Sequence, residues 1–199
     1  MKKKLLLLIS IISLSINAQE KPNDFSKNFN GELKTWKETF SNLNLQEFEE
    51  VEKTDLKELY SEDKSISELG NEYKNIGTYS PNKSKLINIY SYLNLEKKGE
   101  TYIANNDIDQ NIELYLINEN KKITLFSGGS SSGIDEVLWV SENKLLLVGT
   151  TFEETQKPMI LIVDFNSKTI TRFHNTNNNC KQKKKFKSVK LNKLKIKGI

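Results

Sequence analysis

The chain of 199 residues carries a formal charge of +4, with 36% apolar and 28% charged residues, one histidine, one cysteine and one arginine. A single histidine excludes a histidine-based zinc triad and leaves no spare imidazole for a serine relay; a single cysteine excludes an internal disulfide, so the fold must rest on its apolar core. Charge is unevenly placed: with the three lysines at 2–4 and the nine in residues 181–199 set aside, residues 19–180 carry −8, an acidic body with a basic tail.

The N-terminus, "MKKKLLLLISIISLSINAQE", sets three lysines before an apolar core and then reaches Ala18. This is the order of an export signal, with cleavage expected between Ala18 and Gln19, and the apolar core of roughly a dozen residues falls short of the ~20 that a spanning helix needs. No cysteine near the cut is available to carry a lipid. The ending "NAQ" resembles signals of exported Bacteroidota proteins, which implies a periplasmic or secreted product that meets the membrane only through the signal before cleavage. Residues 19–199 then remain, enough for one domain.

Helical spacing dominates the first third of that domain. Leu33, Trp36, Phe40 and Leu43 are separated by charged residues and predict an amphipathic helix. Leu45, Phe48 and Val51, then Leu56, Leu59 and Tyr60, predict a second, with Asp55 and Glu58 at capping-box spacing; "SISE" at 65–68 predicts a third start. The helical region expected is 31–76. Residues 31–72 carry twelve acids and five lysines, nearly all the acidity of the body.

Strand patterns take over at 77. "SPNKSKLINIYSYL" and "SENKLLLVGTTF" repeat a Ser-x-Asn-Lys corner at an offset of 61, and "ELYLINENKKITLF" and "LIVDFNSKTITRF" repeat a hairpin at an offset of 47. The 14-residue difference is an insertion in the first copy, within "NLEKKGETYIANNDID". Two antiparallel units of four strands are therefore expected, 77–127 and 134–173, joined through "SGGSSSG", with 181–199 as a basic C-terminal strand or tail. The units resemble TolB-like β-propeller blades: Ser80, Pro81 and Asn82 match the corner before the second strand, and Asp164 to Lys168 match the turn before the fourth. Two blades do not close a ring, which usually needs at least ~4. The fold class expected is α+β, N-terminal amphipathic helices packed on antiparallel propeller-like sheet, a design that also resembles small exported proteins of Bacteroidota.

Motifs for chemistry are sparse. Ser-x-x-Lys at 61–64, 80–83 and 141–144 lacks the "SDN" and "KTG" companions that the motif has in penicillin-binding proteins and β-lactamases, and reads as turns. Asp107, Asp109, Asn111 and Glu113 alternate as oxygen donors do around calcium, but an EF-hand beginning at Asp107 would need glycine where Ile112 stands and glutamate where Asn118 stands; a solvated strand face is the simpler expectation. "GGSSSG" lacks the lysine of a phosphate loop and is followed by Asp135 and Glu136. His174 is expected to be solvated at a strand end, and Cys180 to be a tolerated loop residue, the rival being a thiol, its pKa lowered by the neighbouring lysines, that pairs with another chain.

In the tail, lysines alternate with Val189 and Leu191, then Leu194 and Ile196, as on an edge strand, and are expected to face the acidic residues 31–72. Export and the absence of arginine there argue against nucleic acid. Asp135, Glu136, Lys183, Lys184, Lys185 and Lys187 form the expected surface for a ligand or a protein partner in the envelope. No cofactor is implied. The function expected is non-catalytic binding or support in the cell envelope; the rivals are a periplasmic inhibitor or immunity-type protein, and a hydrolase built on the carboxylates.

Overall fold

The computed structural model describes residues 20–152, 154–188, 190–191 and 196–197; the expected signal at 1–18, Val189 and Leu194 lie outside these. Most of the described chain is antiparallel sheet with short helical segments at its margins. A turn at Pro22–Phe25 leads into α1 (Ser26–Asn30) and α2 (Lys34–Lys37). Strands β1 (Phe48–Asp55) and β2 (Ser61–Asp63), then helix α3 (Asn71–Ile76), precede the repeats. The first repeat contains β3 (Thr78–Tyr79), β4 (Lys85–Asn88), β7 (Gln110–Leu116) and β8 (Lys121–Gly128), with a hairpin β5 (Leu95–Lys98) and β6 (Thr101–Ala104) inserted. The second contains β9 (Ser132–Ser141), β10 (Lys144–Phe152), β11 (Gln156–Asp164) and β12 (Thr169–Asn175), and a short β13 (Ile196–Lys197) follows.

Each repeat forms an antiparallel meander, and each meander acquires a fifth strand from the region where helices are expected: β1 pairs with β12, and β2 with β8. This corrects the helical reading of 31–76, which holds only for α2, α3 and isolated 3-10 turns. Leu45, Phe48 and Val51 have helical spacing but share no face, since Leu45 and Phe48 are buried and Val51 is 50% exposed. The open edges of β8 and β12 satisfy the backbone groups of this segment, and that pairing overrides local preference. The capping box at Ser65–Glu68 does form, but it caps a single turn, Ile66–Glu68.

The two sheets face each other. Ile87, Ile112, Leu114 and Leu125 from one meet Leu145, Leu147, Leu161 and Val163 from the other in the main core. Beyond the second sheet, Leu146, Val148, Ile160 and Ile162 pack against Phe25, Phe29, Leu33 and Trp36. The strands "KLLLVG" and "MILIVD" are therefore covered on both faces, which accounts for their continuous apolar runs. Across the outer face of the first sheet lies a smaller cluster of Leu69, Leu86 and Tyr115.

Polar side chains fasten the layers. Gln110 donates from Nε2 to the carbonyls of Ile89 (2.8 Å) and Ile134 (2.9 Å), and its Oε1 accepts from Ile134 N (2.6 Å), so one buried amide ties the first sheet to the second. The repeated corners also meet: Glu142 of the second accepts from the backbone N–H of Asn82 (2.9 Å) and from Lys85 Nζ (3.0 Å) of the first. In "SGGSSSG", Gly128 and Gly133 are strand residues, not part of a free tether; a side chain on the neighbouring Gly149 would put its Cβ 1.9 Å from the Gly133 carbonyl oxygen.

Candidate functional site

The tail and the carboxylate pair singled out in the sequence come together along β9. Pairing of β9 with β10 shifts between Val148 and Gly149, opposite Glu136 and Ile134, so Asp135 is the extra residue of a bulge. Bulges re-aim side chains, and here the Asp135 carboxylate accepts from Trp36 Nε1 at 3.1 Å. Burial pushes its pKa up to about 6, with Glu136 adding to the rise while the Trp36 bond and Lys185 oppose it. Glu136 is also raised, chiefly by burial, against the Val137 N–H and Lys190. Tyr92, beside Asp135, is pushed up by burial and by that charge.

The segment that carries the lysines is pinned along its length. After β12 an asparagine ladder turns the chain: Asn175 Oδ1 accepts from Asn177 N (2.9 Å), and Asn177 Oδ1 accepts from Asn179 N (2.8 Å). Cys180 is fully buried in the helix-side core, and burial raises its thiol to about 11. It is neither a surface loop residue nor an activated thiol, because loss of solvent outweighs the Lys157 charge. Gln182 N donates to the Gln156 carbonyl (3.2 Å) and Lys183 N to the Thr39 carbonyl (2.7 Å). Phe186 packs on the helix-side core, and the Ser188 hydroxyl lies 2.9 Å from that of Tyr90.

Lys183, Lys184, Lys185 and Lys187 are all exposed between these anchors, forming a cationic ridge. The expectation that tail lysines face residues 31–72 is corrected in part. Lys185 and Lys190 act on Asp135 and Glu136, and Lys190 also donates to Thr78 Oγ1. Of the expected edge strand, only Ile196–Lys197 is a described strand, and it runs parallel to β6 of the inserted hairpin.

The alternating oxygen donors do not assemble. Asp107 and Asp109 are exposed, and Asp107 Oδ1 accepts from its neighbour Ile108 N at 2.7 Å. Asn111 Oδ1 accepts from Ser127 Oγ (2.7 Å). Glu113 is not solvated: it takes Lys122 Nζ at 2.8 Å, with Asn88 and Tyr115 at 3.3 Å, on the outer face of the first sheet. Among the described residues no three His, Cys, Asp or Glu groups are placed to hold a metal ion. His174 stands one residue before the end of β12, as expected, but is half-buried opposite Glu49 and not solvated.

Trp36, Tyr90, Tyr92, Ser188 and Lys190 are site residues that sequence reasoning missed. Trp36 was legible as a buried aromatic, but its partner lies 99 residues away and nothing local announces the bond. Compared with known proteins, the chain matches no family model, no curated protein and no solved structure.

Proposed function

We propose that this chain is an exported, non-catalytic binding protein of the cell envelope, periplasmic or secreted, that holds an acidic protein partner on its lysine ridge. The two propeller-like sheet units, similar to TolB-like blades at their corners and turns, and the N-terminal amphipathic segment packed on them serve as frame. The observation that carries the reading is the ridge itself: Lys183, Lys184, Lys185 and Lys187 are exposed on a segment fixed by backbone bonds at 182–183, by Phe186 and by Ser188. Charges held on a fixed segment lose less freedom on binding than charges on a loose tail, and they steer an acidic partner from a distance. The non-catalytic part is supported by the carboxylates, since Glu113, Glu142 and Asp135 are each engaged in bonds that join elements.

The test compares the mature protein with a variant carrying Lys183→Gln, Lys184→Gln, Lys185→Gln and Lys187→Gln in capture from the organism's own envelope extract. The wild type is expected to retain an acidic protein that elutes as salt rises, in line with the ~8 Å screening length at physiological ionic strength, and the variant is expected to retain none at an unchanged melting temperature. Equal retention by both proteins, or charge-dependent binding to phosphatidylglycerol vesicles with no protein partner, would overturn the reading.

A further inference from the structure

The duplicated hairpin turns, 117–121 and 164–168, face each other across a cleft of about 410 Å³. At the offset of 47, Lys121 in the first turn is the counterpart of Lys168 in the second, and both line this cleft. The residues flanking β2 hold both turns: Leu56 N, ahead of the strand, donates to the Lys168 carbonyl and Lys64 N, just after it, to the Asn120 carbonyl, each at 2.8 Å. Lys168 and Asn120 both adopt left-handed backbone, φ 56° and 49°, which closes each turn tightly and fixes where its lysine starts. The shared lysines are thus more than hairpin grammar, since the fold brings the two copies to one place.

Charge and shape at this cleft point the same way. Lys57 and Lys85 join Lys121 and Lys168 in the lining, against one acid, Glu119. Lys57 is paired with Asp55 (3.1 Å) and Lys85 with Glu142 (3.0 Å), whereas among the described residues Lys121 and Lys168 make no ion pair. The wall between them is apolar, with Leu116, Ile123 and Phe165. Phe165 is held rigidly: its ring stacks on Trp139 at 5.7 Å and 20°, and Lys85 Nζ stands 5.1 Å from its centroid. Lys121 and Lys168, outside any described ion pair, stand beside a fixed aromatic wall and can each turn to an anion in the cleft, and the volume lies in the range of small-molecule sites.

We infer that the cleft between the two turns binds a small organic anion, one that carries a phosphate or carboxylate head for Lys121 and Lys168 on a ring-sized apolar body that rests against Phe165. The site is separate from the lysine ridge and stands whether or not the ridge holds a partner.

Isothermal titration with 2-naphthyl phosphate, inorganic phosphate and 2-naphthol tests this. The wild type should bind 2-naphthyl phosphate with one-to-one stoichiometry and at least tenfold more tightly than either half-ligand. The double substitution Lys121→Gln, Lys168→Gln should weaken that binding at least tenfold, and Lys121→Arg, Lys168→Arg should keep it. Phe165→Leu should weaken 2-naphthyl phosphate and leave inorganic phosphate unchanged, and the four-lysine ridge variant should bind as the wild type does. Absence of saturable heat with the wild type, an undiminished affinity in the Gln double variant, or loss of binding in the ridge variant would overturn the inference.

Discussion

In the sheet of β9 to β12 with β1, Leu145, Leu146, Leu147 and Val148 are all 0% exposed, because the other sheet covers one face and the aromatic residues around Trp36 cover the opposite one. In the sheet of β3, β4, β7 and β8 with β2, the inner face is as dry, but the outer face carries Lys122 between Glu113 and Glu62, each at 2.8 Å, beside a three-residue apolar cluster. One strand plan thus serves two environments. The acids respond in opposite senses: Lys122 holds Glu62 below the usual carboxylate range, whereas burial lifts Asp135 and Glu136 above it. A repeated topology carries no repeated electrostatics, since the cover and not the strand order decides dielectric and partners.

The sharpest way to break that contrast is to empty equivalent apolar positions. Leu146→Ala, in the doubly covered sheet, should cost about 4 kcal/mol and Leu86→Ala, in the small outer cluster, about 2 kcal/mol, read as the shift in urea midpoint. Equal losses would mean that the outer cluster packs as firmly as the helix-side core.

Next in size is the pH response. The folded chain holds the Asp135 proton more tightly than an unfolded chain with the ordinary value of 3.8, so this contribution is fully present below about pH 4 and is lost as pH rises through about 6, by up to about 3 kcal/mol. Glu62 works the other way: its contribution is present above the ordinary carboxylate range and lost as pH falls. Urea melts between pH 4 and 7 should show the Asp135 slope flattened by Asp135→Asn, which keeps an acceptor for Trp36.

Gln110→Ala removes the tie between the sheets and leaves Ile134 N–H and two carbonyls without their partner; about 2 kcal/mol of destabilisation is expected. Smaller still, Lys122→Met should cost about 1 to 2 kcal/mol by leaving Glu113 and Glu62 without their shared cation. The four ridge substitutions at 183, 184, 185 and 187 lie at the low end, within about 0.5 kcal/mol on thermal melts, because exposed lysines add little to stability.

The meanders were legible because period-two alternation and turn chemistry are local: "DFNSK" turns where Asp164 Oδ1 accepts from Asn166 N at 2.8 Å, in a bond that spans two residues. The fifth strands were not legible. The sequence "FEEVEKTD" has the charge density and spacing of a surface helix, and only the open edge of β12, more than a hundred residues later, makes it a strand. At the carboxylate site, Asp135 and Glu136 could be picked out as acids beside a glycine-rich loop, but the bulge that aims Asp135 at Trp36 depends on register with β10.

Residue order alone determined the two antiparallel units, their corners and turns, the inserted hairpin's place and the separation of an acidic body from a basic tail, since each follows from periodicity or charge counted along the chain. Tertiary structure alone decided which strands complete the sheets, that the lone cysteine is buried, and that Lys121 and Lys168 meet across one cleft. Those outcomes depend on which apolar faces cover each other and which backbone edges are left to pair, and neither quantity is a property of any short stretch of sequence.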